Sequence, residues 1–306
     1  MNHIVFVGLG KMGAPMARHL HAAGYAVRGV EPSAERRRAL SGLNGAGPVP
    51  YATLSEALAP GRPELVISSL PDDAALQAVA IALAEAGPPT PWVDTSTVSL
   101  AASHAAAAMC AANGRPHLRA PVSGNAVMAE SARLSVLASG DHATYLLCEP
   151  LFACWGPQRL YLGAADEARA AKLALNLMVA GTSALLAEAL VLGQLAGCDR
   201  DSLWRVIEAS AVASPLLLAK APALRNHDYA PTFTVAQMRK DLGLMSDVAR
   251  TAGVALPIAT HTDATLAEAE HAGAGGLDYA VIVREAERRA GLAPTSNTNP
   301  QPQAHP

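Results

Sequence analysis

Residues 3–13 read HIVFVGLGKMG, an apolar run that ends in three glycines with the spacing GxGxxG. The run His3–Val7 has the composition of a buried strand, and Ala14–Ala23 after the glycines has helical character. A glycine turn between a strand and a helix suits a pyrophosphate. The first glycine permits the tight turn, the second lets the backbone approach the phosphates, and the third packs helix on strand. The stretch therefore predicts a dinucleotide site that comprises Gly8, Leu9, Gly10, Met12 and Gly13.

Strand-like runs recur through the first half of the chain and are followed by Ala-rich helical sequence. They lie at residues 26–30 (AVRGV), 64–70 (ELVISSL) and 92–94 (WVD). Strands that alternate with helices predict a doubly wound parallel sheet of Rossmann type, covered by helices on both faces. Leu70 and Pro71, at the end of the second of these runs, are expected to contact the cofactor.

The pattern changes after Gly163, where strand-like runs cease and Ala/Leu-rich helical periodicity takes over. The first helix of this part is predicted to start near Asp166 as its N-cap and to run to about Ala196, where Gly197 stops it. A helix of that length would join two domains. We predict a Rossmann domain at residues 1–163, an all-helical substrate and oligomerisation domain at 164–292, and a disordered Pro/Asn/Gln-rich tail at 293–306.

The composition excludes several classes of partner. The formal net charge is −3 and 16% of the residues are charged, so the chain carries no electrostatic footprint for nucleic acid or for an anionic membrane. A small molecule is the expected partner. The four cysteines show no CxxC spacing and the ten histidines no ligand spacing, so we predict neither a disulfide framework nor a metal site. Scattered cysteines fit a reducing compartment and no targeting signal is evident, so we predict the cytoplasm.

One segment approaches the length of a membrane span. Leu173–Leu192 is rich in Ala, Leu and Val, and polar residues interrupt it at Asn176, Thr182, Ser183 and Glu188. The chain offers no second candidate. We therefore predict a helix that is buried in protein and no contact with a membrane.

Glu31 follows the second predicted strand and lies 18 residues after Gly13. An acidic residue near this distance hydrogen-bonds the adenosine ribose hydroxyls in NAD sites, and it repels the 2′-phosphate of NADP. Glu31 therefore favours NAD. Arg36, Arg37 and Arg38 lie close in sequence and could accommodate that phosphate, which leaves NADP open.

Four further motifs follow the glycine motif along the chain. They are Asp94–Thr97 (DTST), Ala120–Gly124 (APVSG), Lys172 with Asn176, and Lys240–Asp241. With these motifs the chain resembles the β-hydroxyacid dehydrogenases, a family that includes 3-hydroxyisobutyrate dehydrogenases and tartronate semialdehyde reductases. The resemblance covers about residues 3–290, which is almost the whole chain.

The resemblance implies a role for most of these residues. Ser96 and Thr97 would lie near the nicotinamide, and Lys240 would lie over the cofactor and the substrate. Ser123 and Gly124 would bind the substrate carboxylate, because a hydroxyl and an unhindered N–H can converge on one pair of oxygens. Members of the family associate through the helical domain, so a homodimer or homotetramer is also implied.

Asn125 departs from the family pattern, which usually has a second glycine at this position. We include it in the predicted substrate site because its side chain would enter space that is normally empty. Asn tolerates a left-handed backbone better than most residues, so the loop is expected to keep its shape. Met128, Ala132 and Arg133 are further departures. All of them bear on the identity of the substrate rather than on the type of reaction.

Lys172 and Asn176 are four residues apart, so they share one face of a helix and can reach one substrate. The resemblance implies that the lysine is the general acid/base and that the asparagine hydrogen-bonds the substrate. An unperturbed lysine, with a pKa of about 10.4, is protonated at neutral pH. Burial beside a cationic nicotinamide is expected to lower the pKa of Lys172 and to make it a usable base.

These features together predict an oxidoreductase that transfers a hydride between NAD(H) and a small 3-hydroxy acid or its semialdehyde. Acids like 3-hydroxyisobutyrate, glycerate and threonate are the expected class. Two alternatives stay open. An imine reductase has a similar architecture, but those proteins commonly lack the catalytic lysine. A catalytically silent nucleotide-binding protein on the same fold would have no reason to keep Ser123, Lys172, Asn176 and Lys240 together.

Overall fold

The computed structural model describes residues 2–41 and 47–292. The tail at residues 293–306, predicted to be disordered, lies outside the described residues. The first strand, turn and helix form where the GxGxxG motif predicts them. Four of the five residues of strand His3–Val7 are buried, and the helix after the glycines begins at Gly13.

A mixed sheet forms the first half of the described chain. Its strands are β1 (His3–Val7), β2 (Ala26–Val30), β3 (Val49–Tyr51), β4 (Leu65–Ser68), β5 (Trp92–Asp94), β6 (His117–Arg119), β7 (Val122–Ser123), β8 (Ser135–Gly140) and β9 (Gln158–Gly163). Their spatial order is β3-β2-β1-β4-β5-β6-β8-β7, and β9 pairs with β8. The first six strands are parallel, β8 is antiparallel to β6 and β7, and β9 is parallel to β8. The order 3-2-1-4-5-6 is that of a Rossmann domain, with its crevice between β1 and β4.

Helices lie between the strands and make up most of the described chain after β9. They are α1 (Gly13–Ala22), α2 (Ala34–Ser41), α3 (Leu54–Leu58), α4 (Asp73–Glu85), α5 (Leu100–Ala112), α6 (Ala126–Glu130), α7 (His142–Ala153), α8 (Glu167–Leu195), α9 (Arg200–Ala209), α10 (Pro215–Arg225), α11 (Val235–Thr251), α12 (Pro257–Ala269) and α13 (Ile282–Arg289). A π-helical turn (Glu270–Ala274) and a 3₁₀ turn (Tyr279–Val281) precede α13.

Successive residues of β1 point into two different apolar clusters. Ile4 and Phe6 pack in one cluster with residues of α1 and α7, and Val5 and Val7 pack in the other with residues of α4 and α5. This alternation follows from the pleat of a strand, whose side chains point to opposite faces in turn. The sheet is thus covered by helices on both faces, which confirms the predicted fold class.

The chain forms two compact units. The first comprises Met1–Asn176 and Asp247–Val254, and the second comprises Leu177–Ser246 and the chain from Ala255 onward. Helix α8 contributes its first part to one unit and the rest to the other, as expected of an interdomain helix. Gly163 is the last residue of β9, and no strand is assigned in the described residues after it. The functional division of the chain at residue 163 stays a prediction.

The start of α8 differs in one detail from its sequence interpretation. Asp166 directly precedes the helix, as predicted, and its carbonyl accepts the N–H of Ala170. The side chain of Asp166 instead accepts from the Ser103 hydroxyl at 2.6 Å. It is the Ser139 hydroxyl that accepts the N–H of Ala168 in the first turn.

Helix α8 is long and apolar enough, by length and composition, to cross a membrane. Core helices of folded proteins pass the same test. Within α8, Arg169 is bonded to Asp94 at the end of β5. The start of the helix is therefore part of the folded core of the first unit.

Candidate active site

The glycine loop joins β1 to α1 at the point where the strand order reverses. Gly8 donates its N–H to the carbonyl of Val30 at 2.9 Å and has a φ of +92°, which side-chain-bearing residues avoid. A Cβ on Gly8 would lie 2.2 Å from the carbonyl oxygen of Ser69, and one on Gly13 would lie 1.9 Å from that of Gly8. A Cβ on Gly10 would meet no atom within 4 Å. Packing therefore requires two of these glycines, whereas Gly10 borders open space.

The start of α1 fits a pyrophosphate. The first-turn N–H groups of a helix lack intrahelical partners and carry partial positive charge, which suits an anion. Met12, which precedes α1, provides no side-chain cap for them. Leu9 is 2% exposed and would touch any Cβ added to Gly29, so it can face a ligand only through its backbone. The loop therefore has the open glycine and the donors that a dinucleotide needs.

Glu31 follows β2 directly, and its carboxylate is buried. Its Oε1 accepts from the N–H of Ser33 at 2.8 Å and from the guanidinium of Arg36 at 2.7 Å. Burial on its own would raise the pKa of Glu31, but these donors outweigh burial and hold the pKa below its ordinary value. Arg37 donates to the main-chain carbonyls of Glu31 and Pro32. The end of β2 thus carries a charged carboxylate with an exposed arginine beside it.

Ser96, in the loop after β5, is 3% exposed. Its hydroxyl donates to Asp94 Oδ1 at 2.6 Å and accepts the N–H of Leu70 at 2.8 Å. The Ser96 hydroxyl therefore donates its proton to Asp94 rather than to a ligand, and its two hydrogen bonds stabilise the loop. Thr97 is half-buried and Pro71 is exposed. The contacts predicted for Leu70, Pro71, Ser96 and Thr97 with the cofactor stay predictions.

Lys172 and Asn176 lie one turn apart in the first part of α8, as their spacing predicts. Both side chains are buried, at 8% and 7% exposure. Both residues belong to the same compact unit as the glycine loop. A buried lysine and a buried amide on one helix face can hold a polar substrate and exchange a proton with it.

Sequence reasoning missed Arg169 as a site-forming residue, and it missed that Asp94 of the DTST motif is the partner of Arg169. The Arg169 guanidinium bonds to the Asp94 carboxylate and to the carbonyl oxygen of Ser96. It therefore connects the start of the lysine-bearing helix to the Ser96 loop. The signal in the sequence is a second cation, three residues before Lys172, at the head of the same apolar run.

The Ser123–Asn125 segment follows β7 and precedes α6. Ser123 is half-buried and Gly124 is exposed with a φ of +136°. Asn125 has a φ of −123°, so its backbone is extended and the loop does not draw on the tolerance of asparagine for a left-handed conformation. Its Oδ1 instead accepts the N–H of Met128 at 3.0 Å and caps α6. Gly124 supplies the left-handed residue, and substrate binding by all three positions stays a prediction.

Lys240 lies on α11 in the second compact unit. Its Nζ is 3.3 Å from Oδ1 of the buried Asp241, which is thus placed to orient the lysine. The predicted contacts of Lys240 with cofactor and substrate stay predictions. Within the described residues, no group of three or more His, Cys, Asp or Glu side chains could hold a metal ion.

The structure links several of the predicted cofactor residues through consecutive contacts. The glycine loop packs on Ser69, the next residue Leu70 bonds to Ser96, and Ser96 bonds to Arg169, one turn before Lys172. All of these lie in one unit; the glycine loop, Ser69 with Leu70, and Ser96 follow the carboxyl ends of β1, β4 and β5, and Arg169 lies on α8. Ligands of open α/β sheets bind at this edge.

Known proteins match along nearly the whole chain. A family profile described as the NAD binding domain of 6-phosphogluconate dehydrogenase matches residues 3–163. A second, described as the NAD-binding region of NADP-dependent 3-hydroxyisobutyrate dehydrogenase, matches residues 167–286. A probable 3-hydroxyisobutyrate dehydrogenase from Mycobacterium tuberculosis is 33% identical over 302 residues, which cover 95% of this chain and 99% of that protein.

Two further relatives extend this comparison. L-threonate dehydrogenase from Cupriavidus necator is 31% identical over 285 residues, which cover 92% of this chain and 95% of that protein. The solved structure of a Mycobacterium tuberculosis 3-hydroxyisobutyrate dehydrogenase with L-serine has a TM-score of 0.82 at 30% identity, and covers 93% of this chain and 99% of that one.

Fold, glycine loop and profiles together define an NAD(P)-binding oxidoreductase. The chain belongs to the β-hydroxyacid dehydrogenases, which are enzymes that act on CH–OH groups. This confirms the family predicted from the five sequence motifs.

Proposed function

We propose that the chain oxidises a small 3-hydroxy acid with NAD, or reduces the corresponding semialdehyde with NADH, and that Lys172 is the general acid/base. The observation that carries this proposal is the first part of α8. Lys172 and Asn176 are buried there one turn apart, beside an arginine that is bonded to the Ser96 loop. The relatives named as dehydrogenases of 3-hydroxyisobutyrate and L-threonate support the substrate class.

The residues have distinct tasks in this proposal. The nicotinamide, when bound, accepts a hydride from the alcohol carbon or returns one to the carbonyl carbon. In oxidation, neutral Lys172 takes the hydroxyl proton at its Nζ while the C–H bond of the alcohol carbon breaks. In reduction, the ammonium of Lys172 returns that proton to the oxygen. Asn176 orients the substrate by hydrogen bonding. Ser123 and the N–H of Gly124 hold its carboxylate, and Asn125 borders the same segment.

Glu31 supports NAD as the preferred cofactor. Its charged carboxylate at the end of β2 is suited to ribose hydroxyls and repels a phosphate. The side chain of Arg36 is 61% exposed and is paired with Glu31. Arg37 donates to the carbonyls of Glu31 and Pro32, so both of these cations already have partners within the protein. Replacing Glu31 by Gln should lower the preference for NAD over NADP.

The exposed face of α8 supports association with a second copy. Leu175, Met178, Leu185 and Leu192 are exposed, at up to 70%. Their spacings of three and seven residues place them along one stripe of the helix, as in a coiled-coil seam. We propose a homodimer or homotetramer built on this stripe. Leu185→Glu should lower the mass measured by light scattering towards that of one chain, and an unchanged mass would contradict the proposal.

The cellular compartment and the choice between the candidate functions each rest on one observation. All four cysteines lie in the described residues and are free, which supports a reducing compartment such as the cytoplasm. An imine reductase is the second candidate on this fold, and the buried Lys172 favours the dehydrogenase. A catalytically silent nucleotide-binding protein would not require a buried lysine at this position.

A substrate panel tests the proposed function. NADH formation at 340 nm would be followed with NAD and 3-hydroxyisobutyrate, glycerate, threonate and related acids, and then with NADP. We expect turnover with at least one 3-hydroxy acid and a higher kcat/KM with NAD. Binding of NADH without turnover of any acid would favour the silent protein, and reduction of cyclic imines would favour the imine reductase.

A further inference from the structure

Arg169 lies in the first turn of α8, and its side chain is 2% exposed. Its N–H groups bond to three neighbouring segments. Nη2 donates to Asp94 Oδ2 at 2.5 Å, Nη1 donates to the carbonyl oxygen of Ser96 at 2.6 Å, and Nε donates to Ser103 Oγ at 2.7 Å. A guanidinium is a planar fork of fixed geometry. These bonds therefore fix both the position and the orientation of the first turn of α8 against β5, the Ser96 loop and α5.

The charge of Arg169 is unfavourable for the start of a helix. The dipole places partial positive charge at that end, where a carboxylate is stabilising and a cation is not. Asp94 supplies the compensation. Burial would raise the pKa of Asp94, but Arg169 and the hydroxyls of Ser68 and Ser96 bring it below its ordinary value. The pair is therefore an ion pair within the core.

Stability alone does not account for this ion pair. Replacing a buried pair by well-packed apolar side chains is often neutral or stabilising, because two charges lose their hydration. What apolar residues cannot supply is direction. The Arg169 fork specifies how α8 is rotated and how far it lies from the carbonyl of Ser96.

The partners of Arg169 lie on the cofactor side of the first unit. Asp94 Oδ1 accepts from the hydroxyls of Ser68 and Ser96, both at 2.6 Å. The Ser96 hydroxyl in turn accepts the N–H of Leu70, two residues beyond β4. One network thus holds the carboxyl ends of β4 and β5 together with the first turn of α8.

Lys172 follows Arg169 by three residues, which puts the two side chains at neighbouring positions on one side of the helix. A helix is stiff over one turn, so a rotation or shift at Arg169 moves the Lys172 Nζ by a similar amount. A displacement of about 1 Å at a reacting group can cost on the order of a hundredfold in rate.

We propose that Arg169 is a positioning residue that acts through Lys172: by its bonds to Asp94 and to the Ser96 carbonyl, it fixes the position of the general acid/base relative to the Ser96 loop. This inference rests on the proposed function, in which Lys172 exchanges the substrate proton. Arg169 itself touches neither substrate nor cofactor in this account.

The test compares Arg169→Lys with the parent, using NAD and an acid that the panel identifies as substrate. The lysine keeps the cation opposite Asp94 but cannot make all three directed bonds. We expect kcat to fall roughly 10- to 100-fold, while the Kd for NADH changes less than about threefold. In a Lys172→Ala background the same change should lower the residual kcat less than about twofold, because the residue through which Arg169 acts is gone.

Arg119→Lys is the matched control. Arg119 is buried in the same cluster at 6% exposure, and its Nε bonds to Ser103 Oγ at 3.1 Å and to Asp166 Oδ1 at 2.6 Å. Arg119 thus shares the Ser103 acceptor with Arg169, but its side chain bonds to neither the Asp94 carboxylate nor the Ser96 carbonyl, which Arg169 holds. A generally loosened cluster would lower kcat equally in both variants, whereas positioning through Lys172 predicts a kcat within about threefold of the parent for Arg119→Lys.

Each remaining outcome supports or overturns the inference. Parent kcat in Arg169→Lys, or an equal effect in the Lys172→Ala background, overturns it while the proposed function stands. Parent activity in Lys172→Ala overturns the proposed function itself. If Arg169→Lys yields no folded protein, Ser103→Ala decides, because it removes one of the three bonds that orient the Arg169 guanidinium on Asp94 and the Ser96 carbonyl and keeps every charge. It also removes the bonds of Ser103 to Arg119 and Asp166, for which Arg119→Lys is the control. Its kcat should fall roughly three- to tenfold, and a parent value would overturn the inference.

Discussion

His117 should make the folded chain sensitive to mild acid. Its side chain lies on β6 at 7% exposure and stacks on Trp92, with ring centroids 4.8 Å apart. Neither ring nitrogen has a hydrogen-bond partner among the described residues. Burial, and next the charge of Arg119, lower the pKa of His117 to about 3 from its ordinary 6.5. The folded protein therefore holds this imidazole neutral.

The sign and size of the effect follow from proton linkage. Between pH 3 and pH 6.5 the unfolded chain binds a proton at His117 that the folded chain does not, so stability rises with pH across this window. One pKa unit corresponds to about 1.36 kcal/mol. Lowering the pH from about 7.5 to about 5 should therefore remove about 2 kcal/mol of unfolding free energy through His117 alone. For a unit of this size that is a loss of roughly 4–8 °C in Tm.

Scanning calorimetry of His117→Phe at the two pH values tests this prediction. Phenylalanine keeps a ring against Trp92 and cannot take up a proton. The variant should lose about 2 kcal/mol less than the parent on acidification. Replacing the exposed His271 by Asn is the matched control and should leave the parent's pH dependence unchanged. An equal loss of unfolding free energy in His117→Phe and in the parent would show that His117 is not the group responsible, as would an imidazole pKa near 6.5 for His117 by NMR.

Two glycine substitutions separate packing of the fold from NADH binding, and a third substitution, at Ala132, tests backbone strain. Gly10→Ala adds a Cβ in open space, so Tm should be unchanged while the Kd for NADH, from a fluorescence titration, rises at least about tenfold. In Gly13→Ala the new Cβ would lie 1.9 Å from the Gly8 carbonyl oxygen, so the variant should be destabilised by about 1–3 kcal/mol. Parent NADH affinity in Gly10→Ala would contradict the predicted phosphate loop. Ala132 has a φ of +52°, so Ala132→Gly should raise stability by about 1 kcal/mol in urea unfolding, and a loss would show that the strain is absent.

The Rossmann half was predictable because its signals are local. The run before Gly8 and the glycine spacing specify strand, turn and helix within a few residues of each other. The strands β6 to β9 gave no such signal. His117–Arg119 is only three residues long and ends in a charged side chain that is buried. Its conformation is set by pairing with β5 and β8, which are distant in sequence.

The candidate site was only partly predictable for a similar reason. The spacing of Lys172 and Asn176 places them on one helix face without any tertiary information. The partner of Arg169 lies 75 residues away, and no periodicity shows which acid that is. Asn125 carries a local signal of its own, because an Asn directly before a short helical run is typical of an N-cap.

Exchange of the substrate proton by Lys172 is the step on which the proposed function depends, and Lys172→Ala tests it. The measurement is kcat with a substrate acid and saturating NAD, alongside the Kd for NADH on the same preparation. We expect kcat to fall roughly 10²- to 10⁴-fold, as for loss of a general acid/base, while the Kd changes less than about threefold. A kcat within about tenfold of the parent, with intact NADH binding, would contradict it.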